Sequence, residues 1–302
     1  MKLFPSLSQI LFTSTVSGIL LFQSNTAQAA TLWNTLQANS AIAFSSQLDI
    51  PTETADDFTV TGDGFTVTNV SFLGLFSEGD AKIDEIDLAF YEVFPGSSDL
   101  TRTPVTVRTN GPEDVEFAAF GTADKQLTFT TTDLGKFTVD QTIVGGSGAN
   151  TPGLGSGVLV DKPYTGYLKQ IDVQLTTPLT LAPQPVFLVA AVDPSSGDYF
   201  AVAGDRPPTS PDPLPAGVVD RQAWFRTNEP FDNALEPDWV RISDVINQED
   251  GTAEPSFNTA FAISGEPVPE PSEVIGTLAF VAVGAGLGLK RQLKQKQSSI
   301  QK

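Results

Sequence analysis

Phe65-Thr66-Val67-Thr68-Asn69-Val70-Ser71-Phe72-Leu73-Gly74-Leu75-Phe76 alternates apolar and polar side chains, but the alternation changes phase in its middle. Phe65 and Val67 share one parity, whereas Val70 and Phe72 share the other. Successive side chains of a strand point to opposite faces, so the two halves agree only if one extra residue is inserted near Thr68-Asn69. The stretch therefore predicts a long, half-buried strand interrupted by a β-bulge. Further on, Ile86-Asp87-Leu88-Ala89-Phe90-Tyr91-Glu92-Val93-Phe94 keeps period two, with Ile86, Leu88, Phe90 and Phe94 on one face.

The same periodicity predicts strands over 127–130, 137–143, 167–175, 187–192, 199–203, 222–226 and 257–263. Phe187-Leu188-Val189-Ala190-Ala191-Val192 is apolar on both parities, as expected of a central strand covered on both sides. Pro95-Gly96-Ser97-Ser98, Asp193-Pro194-Ser195-Ser196-Gly197 and 207–213 supply the fixed or positive φ that turns a chain. No amphipathic helix is apparent between Trp33 and Gly265. Many short strands without βα alternation predict an all-β ectodomain, an antiparallel β-sandwich or jelly roll. The Gly/Ser-rich insert 145–157 reads as a flexible connection, either a long crossover between sheets or a divide between two halves. Neither a Lys-Ser/Thr pair nor a helix follows it, so it lacks the parts of a phosphate-binding loop.

Composition removes several chemistries. The 302 residues contain no cysteine and no histidine. Disulfides, zinc sites built on thiolate or imidazole, and nucleophiles activated by histidine are therefore excluded. The formal charge is −19 overall; residues 30–266 carry 34 acids against 11 bases, a balance of −23, whereas 290–302 carry five bases and no acid. An acidic body repels nucleic acid and anionic lipid, so no nucleic-acid partner is expected.

Both ends depart from the body. Residues 1–29 combine Lys2, a mostly apolar stretch from Ile10 to Phe22, and Ala27-Gln28-Ala29, whose small residues Ala27 and Ala29 suit a signal peptidase. Cleavage after Ala29 is expected. At the other end, Val268-Pro269-Glu270-Pro271 precedes an apolar run over 274–289 and the bases Lys290, Arg291, Lys294 and Lys296. Sixteen residues of helix span about 24 Å, short of a hydrocarbon core of about 30 Å. Such a segment, rich in glycine and stopped by bases on the cytoplasmic side, predicts a transient membrane contact; a permanent single-pass anchor is the alternative.

Carboxylates cluster at Asp56-Asp57, at Asp63, at Glu78 with Asp80, and at Asp84-Glu85 with Asp87. Hard oxygen ligands of this kind suit Ca²⁺, although none forms an EF-hand loop and solvated acidic turns are the simpler reading. A glycan hydrolase working with two carboxylates is compatible with this composition. Trp224, Phe225 and Trp239, interleaved with Asp and Arg, can be read as a sugar-stacking platform or as strand residues. Asn69-Val70-Ser71 fits a glycosylation sequon.

With an N-terminal signal peptide ahead of it, the ordered series Val268-Pro269-Glu270-Pro271, apolar run to Leu289, and Lys290-Arg291 with further bases resembles the PEP-CTERM proteins, exported bacterial proteins with a C-terminal sorting signal. The resemblance implies recognition and cleavage near Pro269-Glu270-Pro271 by an exosortase-type processing enzyme. It also implies a membrane-anchored precursor, export through the inner membrane, and a final place at the cell surface or in the extracellular matrix. The body is similar to a recurrent ectodomain of that family through Ala55-Asp56-Asp57-Phe58, Asp238-Trp239-Val240-Arg241-Ile242 and Phe257-Asn258-Thr259-Ala260-Phe261, which brings no activity with it. The expected organisation is a signal peptide over 1–29, an ectodomain over 30–266, a sorting signal over 267–296 and a polar tail over 297–302. The expected function is a non-enzymatic surface or matrix protein meeting polysaccharide; a secreted hydrolase and a purely structural surface protein are the alternatives.

Overall fold

The computed structural model describes residues 29–48, 52–96, 110–145, 157–204, 222–227, 239–242 and 257–269. Sixteen strands are found among them. In chain order they are β1 Ala30–Asn34, β2 Ala38–Ser45, β3 Thr52–Thr59, β4 Phe65–Phe76, β5 Ile83–Tyr91, β6 Ala118–Gly121, β7 Leu127–Val139 and β8 Gln141–Gly145. The series continues with β9 Gly157–Val160, β10 Tyr164–Leu181, β11 Pro185–Pro194, β12 Tyr199–Gly204, β13 Trp224–Thr227, β14 Val240–Arg241, β15 Asn258–Thr259 and β16 Phe261–Pro267.

The opening stretch is the middle of a ten-stranded sheet. Along one side of β4 runs β10, with β7 beyond it. Along the other side β16 takes the first part of β4 and β12 the last part. Outside β16 lies β1; outside β12 lie β2, β8 and β9. The second sheet has the order β14-β13-β3-β11-β5-β6. Among the described strands β2 and β8 run parallel, and the other pairs are antiparallel.

The predicted bulge sits at Thr68. Asn69 lies opposite Ser264 and Val67 opposite Gly265, which leaves Thr68 as the extra residue against β16. On the other side, β10 moves from Gln174 opposite Asn69 to Leu179 opposite Val67, so it is β10 that carries the surplus there. The consequence is that Val67 and Val70 both have no exposed surface and face the same core as Phe65 and Phe72. That core lies between the sheets. Phe58, Ile86, Leu88, Phe90, Val186 and Leu188 of the six-stranded sheet meet the inner face of β4, β10 and β16 there.

β11 is covered on both faces, as its composition predicts. Val186, Leu188 and Val192 enter the central core, while Phe187, Val189 and Ala191 join a second cluster on the outward side with Trp224 and Trp239.

Three expectations are corrected. The strands expected over 127–130 and 137–143 are divided elsewhere: β7 runs unbroken from Leu127 to Val139, with a register shift beside Gly135, and the break comes at Asp140. The strand from Ile86 ends at Tyr91, so Phe94 lies beyond it, after the isolated bridge of Val93 to Pro112. The Gly/Ser insert joins a hairpin, since Gly145 pairs with Gly157 in the antiparallel β8–β9 ladder. It is neither a crossover nor a divide between halves.

Candidate functional site

The outward face of the six-stranded sheet carries a concavity of about 470 Å³. Its floor follows from small residues in register on adjacent strands. Val189 of β11 lies opposite Ala89 of β5, and Ala89 opposite Ala119 of β6; Ala191 lies opposite Asp87, and Asp87 opposite Gly121. Small side chains on three neighbouring strands leave a depression where larger ones would fill it. Around it stand five carboxylates, Glu53, Glu85, Asp87, Glu116 and Asp124.

Asp87 lies at the centre of this group, opposite both Ala191 and Gly121. Burial, then the charges of Glu85, Asp124 and Glu53, raise its carboxyl above the usual range. One of its oxygens rests where a side chain on Gly121 would have to go, 2.6 Å from the position of an added Cβ. The adjoining turn is fixed by Thr122, whose hydroxyl accepts the Ile86 N–H at 3.0 Å, and by Gln126, which accepts the Gly121 N–H at 3.0 Å.

At the other end of the groove a buried guanidinium closes the site. Arg226 donates from Nε to Glu53 at 2.5 Å, from Nη2 to the Tyr91 hydroxyl at 2.9 Å, and from Nη1 to the Asp114 carbonyl at 3.1 Å. Its plane lies 4.3 Å from the centre of the Trp239 ring, and the Trp239 indole donates to the Glu113 carbonyl at 3.0 Å. Tyr91 meets Trp239 edge to face at 5.5 Å. Burial and the Glu53 carboxylate push the Tyr91 phenol far up, so it stays protonated and donates to Glu53 at 3.4 Å. Removing one partner of a buried charge pair costs about 3–5 kcal/mol, because the other charge is left uncompensated. This cage is therefore a rigid wall.

Chemically, a carboxyl whose proton affinity is raised by burial and by neighbouring carboxylates suits holding a cation or moving a proton. Of the acids singled out in the sequence, Glu85 and Asp87 come together here, and Asp84, of opposite parity on β5, does not join them. Asp56 is buried and its carboxylate is engaged by the protein, accepting from the Asp57 N–H at 2.9 Å, the Thr259 N–H at 2.6 Å and the Thr259 hydroxyl at 3.2 Å. Glu78, in the turn after β4, accepts at 2.6 Å from the hydroxyl of Ser196, in the turn between β11 and β12.

The aromatic sugar platform is overturned. Trp224 and Phe225 have no exposed surface and Trp239 has 1%. Trp224 and Phe225 alternate on β13, one facing the outward cluster and the other a core against β2 and β8, so neither ring is offered to a ligand.

The sequence did not point to Glu53, Glu116, Asp124 or Tyr91 as groove residues. The parity of β5 aligns Glu85, Asp87, Ala89 and Tyr91, but only strand pairing brings β3 and the turn after β6 beside them.

The chain matches no protein-family model, no curated protein and no solved structure. No family is assigned by comparison. Of the residues expected to direct sorting, Val268 is half-buried and Pro269 exposed; Glu270, Pro271, the run 274–289 and Lys290, Arg291, Lys294 and Lys296 lie outside the described residues. Ala29 is exposed, immediately before β1, and Ala27 lies outside them.

Proposed function

We propose that this chain is a non-enzymatic exported protein of the cell surface or extracellular matrix, a β-sandwich body addressed by a PEP-CTERM tail and acting on polysaccharide. The observation that carries it is the pairing of the first described strand with the last. Ala30, the residue that signal cleavage would leave first, pairs with Gly265 two residues from the end of β16. From there the backbone stays fixed up to the motif: Pro267 lies opposite Phe65, and the Val268 N–H donates to the Gly64 carbonyl at 3.0 Å. Ala30 and Pro267 thus lie at the same end of two neighbouring strands, which is what supports this reading. A precursor held in the membrane by both ends would carry such a body without threading either end through it.

Replacing Pro269-Glu270-Pro271 by alanines is expected to leave a full-length protein in the membrane fraction, read by mass spectrometry of both termini. Normal processing of that variant would sink the sorting reading. The same measurement on the unchanged chain identifies whether Ala30 is the first residue.

A second reading, a carboxylate-dependent glycan hydrolase, is favoured by Asp87, whose carboxyl, raised above its ordinary range, faces a groove lined by four further carboxyl groups. Release of sugar product that vanishes on Asp87→Asn would establish it in place of the first. Loop stabilisation by Ca²⁺ belongs to either reading, and a melting temperature indifferent to chelator would remove it.

A further inference from the structure

We infer that the outward face of the ten-stranded sheet, where β7, β10, β4, β16 and β1 lie side by side, is a docking surface for a neutral, hydroxyl-rich polysaccharide running across the strands. This rests on the extracellular address proposed above and gives the polysaccharide a place on the molecule.

The registers put polar side chains in straight rows. Thr128, Gln174, Asn69, Ser264 and Thr31 lie opposite one another across the five strands. The next row is Thr130, Asp172, Ser71, Ala262 and Asn34. Their common outward direction follows from the parity of Val70, Val173 and Ile263, which alternate with them and are buried in the core between the sheets. With strands about 4.8 Å apart, each row extends about 19 Å, and the rows are about 7 Å apart. The bulge at Thr68 matters here as well, because it sets Asn69 and Ser71 outward while keeping Val67 and Val70 inward.

The chemistry of these rows is selective. Hydroxyls and carboxamides both donate and accept hydrogen bonds, as sugar hydroxyls do. Several are already held in place: Ser71 donates to Asp172 at 2.6 Å, Gln170 donates to the same carboxylate at 2.8 Å, and Thr68 donates to the Asn69 amide oxygen at 2.8 Å. Groups fixed before binding lose little freedom on docking. Asp172 is the one formal charge in the two rows, and the adjoining row toward the tail adds Glu266 opposite Thr66. Among the described residues these two rows hold no Lys or Arg to attract a polyanion and no large apolar side chain to hold a lipid or hydrophobic peptide. A neutral glycan is the partner these groups fit.

The test is affinity electrophoresis of the full chain in detergent, through native gels holding a soluble neutral β-glucan, a neutral galactomannan or anionic alginate. Retardation by a neutral polymer but not by alginate is expected. The double variant Thr128→Ala with Asn69→Ala should weaken it about tenfold, the loss of roughly two hydrogen bonds. Thr130→Arg, at an exposed position on an edge strand, should block the face while melting like the parent, which separates lost binding from lost folding. Glu92→Gln, exposed just beyond the end of β5 on the opposite sheet, should change nothing. Retardation that ignores the row variants, equal retardation by alginate, or none by either neutral polymer overturns the inference. Self-association abolished by Thr130→Arg, with no retardation by glycan, would assign the face to a second copy instead and overturn it too. Tail processing is measured separately by mass, so absence of retardation in a correctly processed protein leaves the sorting reading standing.

Discussion

At the scale of single residues, Asp87 is where the acidic composition becomes a local energetic fact. Its carboxyl is partly buried and surrounded by Glu85, Asp124 and Glu53, so its proton is held more tightly in the folded chain than in the unfolded one. A folded pKa above the unfolded value means that the native state binds more protons between the two values, and stability falls as pH rises through that window. At neutral pH the ionised group is therefore destabilising. Asp87→Asn should raise the melting temperature at pH 7, and the gap should close as pH falls to the carboxylate range, where Asp87 is itself neutral. A gap that stays constant from pH 7 to pH 4 in thermal denaturation would refute this. Nothing in the sequence marks Asp87 out from the other acids, because its perturbation comes from β3, β5 and the turn after β6 converging on one groove.

At the scale of the element, β4 shows how far a pattern reaches. The phase change in Phe65–Phe76 was legible because a strand has one period, and only an extra residue reconciles Val67 with Val70. Deleting Thr68 should be far worse than substituting it. Without the bulge, either Phe65 and Val67 or Val70 and Phe72 turn to solvent, exposing two large apolar side chains at about 1.5–3 kcal/mol each. That is a large share of the about 5–15 kcal/mol that holds a typical domain together. The expected outcome is loss of the cooperative thermal transition for the deletion, with Thr68→Ala remaining close to the parent; a deletion variant that melts like the parent would show that the register is set elsewhere. Patterns were less informative at strand ends. The pairing of β7 with β10 carries it through Gly135, and Gly145 and Gly157 pair across a low-complexity insert, because both are decided by partners distant in sequence. Of the two readings of Trp224 the strand holds and the sugar platform does not: alternation with Asp and Arg suggests half exposure, yet Arg241 and Arg226 stack over the Trp224 and Trp239 rings and complete their burial.

For the whole molecule the deciding contact is between its first and last described strands, β1 and β16. β16 lies between β1 and β4, so the ten-stranded sheet cannot close until the chain has reached Pro267. Phe261 packs edge to face on Phe58 at 6.2 Å and stacks on Trp33, also at 6.2 Å, which ties β16 to the second sheet and to β1. Pairings this distant in sequence form late in folding, since the loop they close must be paid for in entropy before the contact is made. If the residues after Pro269 are an address and no part of the body, the two should separate at a sharp position. A chain ending at Pro269 should melt at the temperature of the full chain, having kept β16 and the Val268 bond to Gly64. A chain ending at Ala260 should show no cooperative transition, because it strips β1 of its partner and uncovers Phe58 and Phe72. Circular dichroism on the two truncations decides the matter: a lower melting temperature for the chain ending at Pro269 would mean that the tail packs on the body and stabilises it, which an address to be cut away has no reason to do.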